Sequence, residues 1–401
     1  MTGIVFYFHA HQPRRIRYYS FFDIGSKNYF NDEVNKKILD RVVNKCYRPA
    51  LEMIYNAITK YDLKFSFSIS GTLIEQLELY HPEILDLWKR LVDTGNVEIV
   101  SETYYHSISY LLDKEEFVNQ IKLHRKKIKE IFGYKSKSFR NFELVFNNDI
   151  GNIIYSLGFE AALTEGTEKI LGWRSPNYVY KLKGTNLRLL LRNYKLSDDI
   201  AFRFTNKDWS EYPLTADKYY LWLKNTPGDI INIFMDFETI GEHIWKEAGI
   251  FEFWNKLFEY IGKERYFETY KIIEAANKFE AKDELSIENL ISWADIERDL
   301  SAWLGDSIQR EALDYLKEIY YKNKNNEDIL KILRYLSTSD NFYYMSLKYN
   351  ADGDVHKYFR EEAFATPYDA FISYMNILKD IELSNQSIEN IEEFNSRILP
   401  G

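Results

Sequence analysis

This chain of 401 residues has a single cysteine, no surplus of positive charge and no long apolar run. The single cysteine, Cys46, excludes an intramolecular disulfide and a cysteine-based zinc site. With 52 basic and 61 acidic residues the net charge is -9, so we expect no basic face for nucleic acid. No apolar run is long enough to span a bilayer. The first residues lack the basic segment of a secretory signal, so we expect a cytoplasmic protein without membrane contact.

Apolar and aromatic residues are abundant. They make up 45% and 17% of the chain, enough to build a sizeable core. Many of the 32 tyrosines and 27 phenylalanines belong in that core, but some could line sugar subsites, because aromatic faces suit the C–H faces of pyranose rings. The many Glu and Lys residues also fit a heat-stable protein.

Seven short apolar runs alternate with helical stretches in the first 250 residues. This alternation predicts an α/β fold with a parallel sheet or barrel, whose chemistry lies where the strands end. Beyond about residue 247 the strand pattern fades, so we expect a barrel domain over residues 1–250 and a helical domain over 251–401. The predicted strands are 4–8, 65–70, 97–100, 138–146, 161–164, 187–191 and 230–236. The main predicted helices are 36–60, 71–91 (interrupted at Pro82), 114–132, 250–278, 306–321, 327–337 and 367–381.

Two histidines follow the first predicted strand. His9 and His11 point to the same side, because side chains alternate along a strand. Such a pair is a possible metal-ligand spacing, although the chain offers no Asp-Asp or His-Glu-x-x-His companion. Two other interpretations stay open: hydrogen-bonded structural histidines, or recognition of sugar hydroxyls.

Acidic residues lie within or just after three other strands. Glu143 stands between two apolar residues, where an unpartnered carboxylate is costly, so it is either a nucleophile or a structural acid paired with Arg140 or Arg174. Asp236 and Glu238 share one face, so Asp236 could be a general acid/base with Glu238 shaping its field. Clustered carboxylates raise one another's pKa, as a proton donor near neutral pH requires. Glu98 is a further acid of this kind.

A later segment, residues 293–306, is rich in tryptophan and acids. Two interpretations are open. The segment is either an ordinary helix start with a tryptophan packed in the core, or a segment that runs back to the strand ends and places Asp299 and Trp303 over the pocket formed by the acids and histidines.

The chain resembles the family 57 glycoside hydrolases, and most closely their short α-amylase-type members. Five motif regions of that family occur in order over some 300 residues, although Phe142 stands where a small polar residue is expected. These are His11-Gln12-Pro13, Gly95–Val100, Phe139–Phe146, Met235–His243 and Asp299–Gly305.

The resemblance implies an incomplete seven-stranded (β/α) barrel and retention of anomeric configuration. It assigns Glu143 as the nucleophile and Asp236 as the acid/base. It also implies a set of substrate-binding residues: His9, His11, Gln12, Glu98, Glu238, His243, Trp245, Asp299 and Trp303.

The sequence therefore predicts a retaining α-glucan hydrolase that acts on α-1,4 linkages of α-glucans or maltooligosaccharides and needs no metal or cofactor. A 4-α-glucanotransferase or branching enzyme with the same catalytic pair is the first alternative. A metal-dependent polysaccharide deacetylase, supported by His9 and His11 alone, is the more distant one. The sequence does not set the oligomeric state.

Overall fold

A computed structural model describes residues 2–398, with side chains through residue 384. Internal contacts divide the chain into two units. The first comprises residues 1–12, 36–106 and 118–294, and the second comprises 13–35, 107–117 and 295–401. Residues 1 and 399–401, the last three of which fall in the expected helical domain, lie outside the described residues.

The strands belong to the first unit and are all short. They are β1 (Gly3–Ala10), β2 (Phe65–Ile69), β3 (Val97–Ile99), β4 (Ser138–Phe139), β5 (Ala161–Glu165), β6 (Tyr180–Leu182), β7 (Arg188–Arg192), β8 (Ile230–Asp236), β9 (Glu268–Thr269) and β10 (Glu284–Leu285).

Helices occur throughout both units. As far as Lys278 they are α1 (Asp32–Val42), α2 (Arg48–Tyr61), α3 (Gly71–Tyr80), α4 (Pro82–Asp93), α5 (Ser109–Leu112), α6 (Lys114–Phe132), α7 (Asn148–Ser156), α8 (Glu168–Leu171), α9 (Tyr194–Ala201), α10 (Ala216–Asn225), α11 (Ile250–Glu264) and α12 (Ile272–Lys278). The later helices are α13 (Ser301–Leu304), α14 (Ser307–Asn323), α15 (Glu327–Leu336), α16 (Ser339–Tyr343), α17 (Asn350–Arg360) and α18 (Pro367–Ile398). A π-helix (Val43–Tyr47) joins α1 to α2. None of the helices in the described part of the chain is both long and apolar enough to cross a membrane.

The first sheet has the order β3-β2-β1-β8, with β9 also paired to β1, and all its pairs are parallel. Strand β1 lies at its centre and is buried along its whole length. In this register His9 lies beside Ser68 on one neighbour and Asp236 on the other. His9 and Asp236, which were predicted from separate strand ends, are therefore neighbours in the sheet.

The second sheet has the order β10-β6-β7-β5-β4, and β6 runs antiparallel to β7. A single parallel bridge between Ser101 and Phe139 links the end of β3 to β4. The described strands form two sheets and no closed barrel. The α/β class with additional helices is as expected, whereas in place of the expected closed barrel the described strands form one parallel and one mixed five-stranded sheet.

Aromatic packing holds the first sheet to its helices. Phe6 and Phe8 of β1 contact Trp254 of α11 edge-on, with ring centroids 5.8 and 5.6 Å apart. All three side chains are fully buried. Much of the aromatic content therefore serves the core.

Two predicted elements differ from the structure. Strand β4 ends at Phe139 rather than at residue 146, because Glu143 and Leu144 both adopt positive φ (47° and 54°), which no strand tolerates. The helix predicted over 250–278 is broken into α11 and α12, since Arg265 at φ 51° ends the first and β9 intervenes.

The division between the units also lies later than residue 250. Residues 251–294 belong to the first unit, because α12 packs against the strands and β9 and β10 extend the two sheets. Two early segments, residues 13–35 and 107–117, belong to the second, helical unit. Such non-contiguous pieces leave no mark in a local sequence pattern.

Gly241 holds the loop after β8 against the π-helix. Its φ is +103°, and a Cβ there would lie 2.0 Å from the backbone oxygen of Lys45. Gly249 also has positive φ, +87°, but a Cβ there would meet nothing within 4 Å. Alanine at Gly249 would introduce backbone strain alone, whereas alanine at Gly241 would introduce both strain and a clash with the backbone. Comparing the two substitutions therefore separates the two costs.

We expect Gly249→Ala to lower the free energy of unfolding by about 1–2 kcal/mol, the cost of left-handed backbone for a residue with a Cβ. Gly241→Ala should cost clearly more, because the loop and the π-helix must also separate. Urea denaturation of both variants measures the difference. Equal losses would mean that the close approach at Gly241 contributes nothing to stability.

Candidate active site

The carboxyl ends of the parallel strands gather polar side chains at one edge of the first unit. Parallel α/β sheets place their chemistry at this edge, because the loops after successive strands meet there. The residues that follow or end these strands are His11 after β1, Ser70 after β2, Glu102 after β3, Arg140 and Glu143 after β4, Glu165 on β5, Arg192 on β7, and Asp236 and Glu238 at the end of β8.

Glu143 is half-buried and both its oxygens are hydrogen-bonded. His106 Nε2 donates to Oε1 at 2.7 Å, and the indole Nε1 of Trp293 donates to Oε2 at 2.6 Å. Burial alone would raise the pKa of Glu143, but these two bonds and the charges of His106 and Arg140 hold it below its ordinary value. Glu143 is therefore ionised at neutral pH.

Asp236 has the opposite character. It accepts no hydrogen bond from the described residues, and burial together with repulsion from Glu143 raises its pKa to about 7. The charges of Arg140, His106 and Arg192 limit this rise. One carboxylate that stays ionised and a nearby carboxyl that holds its proton near neutrality form a pair with two different roles.

Three imidazole rings stack beside these acids. The ring centroid of His106 lies 4.6 Å from that of His9 and 4.2 Å from that of His11. His9 Nδ1 is 2.7 Å from Ser68 Oγ, and His11 Nδ1 is 2.7 Å from Ser70 Oγ. Burial, Arg140 and the other histidines lower the pKa of His9, so this ring is neutral.

Arg140 is fully buried at the centre of the cluster. Its Nη1 lies 3.3 Å from His9 Nε2, 3.2 Å from His106 Nδ1 and 3.7 Å from Glu102 Oε2. The sequence left open a pairing of Glu143 with Arg140 or Arg174. Arg140 supplies charge to Glu143, whereas Arg174 pairs with Asp283 at 2.9 Å.

Trp293 is flanked by two guanidinium groups. The Cζ atoms of Arg140 and Arg192 each lie 5.4 Å from its ring centroid. Arg192 is itself fixed by Glu165 at 3.1 Å and Asp198 at 2.5 Å. The indole N–H therefore points at Glu143 from a ring that has little freedom.

Glu238 lies beside the histidines and is buried. It accepts hydrogen bonds from the backbone N–H of His11, at 3.1 Å, and from the hydroxyl of Tyr47, the last residue of the π-helix. Burial and repulsion from Asp236 raise the pKa of Glu238 to about 8. A protonated carboxyl can donate a hydrogen bond to a hydroxyl as well as accept one.

Three other predicted substrate residues lie near Glu238 or beyond it. The backbone oxygen of Gln12 accepts a bond from Gln76 Nε2 at 2.9 Å, and the side chain of Gln12 is buried. The backbone N–H of His243 donates to the backbone carbonyl oxygen of Glu238 at 2.9 Å, and burial lowers the pKa of this histidine to about 4. Trp245 is 60% exposed, with the ammonium of Lys45 4.9 Å from its ring centroid.

Glu98 makes its hydrogen bonds to residues outside this cluster. Its carboxylate accepts from the Ser138 hydroxyl and, at 3.0 Å, from the backbone N–H of Ile273. In the sheet register it lies beside Ser66, two residues before Ser68. Both oxygens are engaged inside the core.

Asp299 and Trp303 belong to the second unit. Asp299 accepts a bond from the backbone N–H of Ser301 at 2.9 Å, which favours the start of α13. Trp303 is only 1% exposed and packs beside Tyr343, with ring centroids 6.3 Å apart. Their assignment to the substrate site stays a prediction from the resemblance.

The three stacked histidines could in principle hold a metal ion, since one ligand atom of each lies within 4.8 Å of the others. Their other contacts do not fit a dication. Both nitrogens of His106 face carboxylates, and the guanidinium of Arg140 lies within 3.3 Å of His9 and His106. Metal ligands must be neutral imidazoles, and a fixed cation at this distance opposes a second one.

Sequence patterns missed five residues of this site. Glu102 had the available signal, an acid directly after a strand. Arg192 had a similar signal, a charged residue directly after the predicted strand 187–191. His106, Trp293 and Tyr47 carry no such mark, because tertiary pairing alone brings them to Glu143 and Glu238.

The family model for glycosyl hydrolase family 57 matches residues 5–288, more than half of the chain. The chain belongs to this family. It is therefore a glycoside hydrolase, and the resemblance drawn from the five motifs is confirmed. A protein of Methanocaldococcus jannaschii named "Putative alpha-amylase" is 47% identical over 398 residues, which cover 94% of this chain and 84% of that protein.

Two solved structures share the fold. The branching enzyme of the hyperthermophilic archaeon Pyrococcus horikoshii superposes with a TM-score of 0.68 at 15% identity, covering 94% of this chain and 88% of its own. The α-amylase of Thermotoga maritima gives a TM-score of 0.64 at 13% identity, covering 97% and 94%. At these identities the likeness shows the fold of this glycoside hydrolase and nothing finer.

The raised pKa of Asp236 makes a prediction about stability. Between its ordinary pKa of 3.8 and about 7, the folded protein keeps a proton that the unfolded chain has released. This carboxyl therefore makes the folded state less stable as the pH rises through that window. Asp236→Asn removes the effect, so its unfolding temperature relative to the unsubstituted protein should be higher at pH 8 than at pH 4.5.

We expect the relative gain in unfolding free energy to be about 1 kcal/mol or more. Asp86→Asn is the matched control, since Asp86 is 69% exposed in a surface pair with Lys89. Calorimetry at the two pH values measures both variants. A gain for Asp236→Asn that is the same at both pH values would contradict the raised pKa.

Proposed function

We propose that this family 57 member is a retaining α-glucan hydrolase of the α-amylase type, which cleaves α-1,4-glucosidic bonds through a covalent glycosyl-enzyme. The observation that supports this most is the contrast between the two carboxyls: His106 and Trp293 donate hydrogen bonds to Glu143, whereas Asp236 is held without such bonds from the described residues and its pKa is raised. A retaining glycosidase needs an ionised nucleophile and a protonated acid on either side of the bond. The name of the M. jannaschii relative points to the same activity.

In this mechanism the Glu143 carboxylate attacks the anomeric carbon while Asp236 gives its proton to the departing glycosidic oxygen. Asp236, now ionised, then takes a proton from the incoming acceptor, whose oxygen displaces Glu143 from the anomeric carbon. Water as acceptor gives hydrolysis. A sugar hydroxyl as acceptor gives transfer, with an identical first half-reaction.

The substrate hydroxyls would meet His9, His11 and Glu238, which offer donors and acceptors beside the two acids. Gln12 and His243 extend this set, and the exposed face of Trp245 suits stacking on a pyranose ring. The roles of Glu98, Asp299 and Trp303 are supported by the family motifs alone.

We further propose that strands β8, β1, β2, β3, β4, β5 and β7 act as the incomplete seven-stranded barrel of the family. The Ser101–Phe139 bridge supports continuity between the sheets on one side. On the other side, the Asn193 N–H donates to the Asn232 oxygen at 2.9 Å, which links the end of β7 to β8.

A 4-α-glucanotransferase is the second candidate. A transferase of that name from Thermococcus litoralis is 25% identical over 128 residues, covering 32% of this chain and 19% of its own, so this candidate rests on a limited stretch. Branching activity would follow from the same pair of acids with an α-1,6-forming acceptor.

Incubation with maltoheptaose and amylose, with sizing of the products, tests the proposal. We expect shorter products only, released with the α configuration in NMR spectra. Glu143→Gln should lower the rate by several orders of magnitude while the fold is kept, because the amide cannot form the ester. Glu259→Gln is the matched control, since Glu259 only bridges Lys256 and Lys263 on the surface of α11.

Longer products in addition would move the assignment to a transferase. Products of β configuration would make the enzyme inverting. More than a few per cent of activity in Glu143→Gln would exclude Glu143 as the nucleophile.

We also expect dialysis against EDTA to leave the activity unchanged, because the three histidines face two carboxylates and a guanidinium. Metal analysis of the dialysed protein completes the test. Activity that disappears with the metal and returns with zinc would favour the deacetylase alternative instead.

A further inference from the structure

His106 bridges two carboxylates in the buried part of the site. Its Nδ1 lies 3.0 Å from Glu102 Oε2, and its Nε2 lies 2.7 Å from Glu143 Oε1. Glu102 and His106 are 0% and 1% exposed. The backbone of His106 has φ +50°, an unusual conformation for a residue with a Cβ. Hydrogen bonds at both ring nitrogens, together with this backbone conformation, define the position of the ring.

This geometry fixes the protonation of the ring. An ionised carboxylate only accepts hydrogen bonds, so with Glu102 and Glu143 both ionised each ring nitrogen carries a hydrogen and the ring is an imidazolium. Arg140 Nη1, 3.2 Å from Nδ1, then does not donate to the ring, and its charge opposes that of the imidazolium. Burial alone would lower the pKa of His106, but the bonds and charges of Glu102 and Glu143 raise it to about 9. The other charged or titratable groups around the pair are Arg140, His9, His11, Asp236 and, beside Glu102, His124 and Tyr7.

We propose that Glu102 and His106 are positioning residues for the nucleophile: Glu102 holds His106 as a cation, and His106 holds the Glu143 carboxylate ionised and in its attacking orientation. The inference rests on the proposed role of Glu143. The same N–H would stabilise Glu143 when the bond between the anomeric carbon and the glutamate oxygen breaks and its electron pair returns to the carboxylate. No proton leaves His106 in either step.

A merely structural pair would make a different prediction. If His106 only filled space, its loss would lower stability and the overall rate, but it would not change the pH at which Glu143 takes up a proton. A cation within hydrogen-bond distance lowers the pKa of a carboxyl by roughly one to three units. The acid limb of the pH profile of kcat/KM is therefore the measurement that separates the two roles.

His106→Gln keeps an N–H donor and removes the charge. We expect its acid limb to move upward by roughly one pH unit or more, with a reduced kcat. His81→Gln is the matched control, since His81 lies at the surface between Asp40 and Glu83 and should leave the limb in place. An unmoved acid limb in a folded His106→Gln variant would overturn the proposal.

Imidazole 15N NMR of the unsubstituted protein tests the ring directly and does not depend on any variant folding. The signals of the His106 ring are assigned by their absence from the spectrum of His106→Gln or through bonds. We expect this ring to be doubly protonated at pH 7. In Glu102→Gln, whose amide can still accept the Nδ1 bond, the same ring should titrate at least roughly one unit lower. A His106 ring that is neutral at pH 7 would overturn the proposal.

The two readouts distinguish this inference from the proposed function. A protein that cleaves no α-glucan but has a charged His106 ring that responds to Glu102→Gln would contradict the hydrolase assignment and support the charged bridge. An active enzyme with a neutral His106 ring would support the hydrolase and contradict the bridge.

Discussion

The buried cation of Arg140 is the constraint on which the rest of the site depends. A guanidinium cannot lose its charge in a protein, and a buried charge must be compensated. Glu102 and Glu143 supply two negative charges, and His106 becomes the second cation between them. The charges of these four groups sum to zero. A further buried charge would be uncompensated, which is why burial and the neighbouring carboxylates keep protons on Asp236 and Glu238 near neutral pH.

The fold supplies these groups from separate strand ends, and the backbone departs from regular structure where it does so. His106, Glu143 and Leu144 all have positive φ. Such conformations cost free energy and persist where the surroundings fix them. The surroundings here are specific: the backbone N–H of Trp293 donates to the backbone carbonyl oxygen of Glu143 at 3.1 Å, and Phe146 pairs with Ile291. The segment that follows β10 therefore holds the loop that carries Glu143.

Sequence patterns predict the parts of this site that are local. Strand ends and motifs pointed to Asp236, Glu143, His9 and His11, since a parallel sheet brings strand ends together. The contact of Trp293 with Glu143 spans 150 residues and follows only from tertiary pairing. Glu98 shows the opposite limit: it looks like another acid of the strand ends, but the register places it beside Ser66, with its oxygens bound to the core.

Phe142 gives the departure from the family motif a physical meaning. Its side chain is fully buried, and its ring meets that of His106 edge to face, with centroids 6.4 Å apart. An apolar side chain here excludes water from the imidazolium, whereas a small polar residue would leave room for it. Charge-assisted hydrogen bonds strengthen when water is excluded. Because burial by itself lowers the pKa of His106, the aromatic residue in the third motif makes the charged form of the Glu102–His106–Glu143 bridge depend on the strength of its two carboxylate bonds.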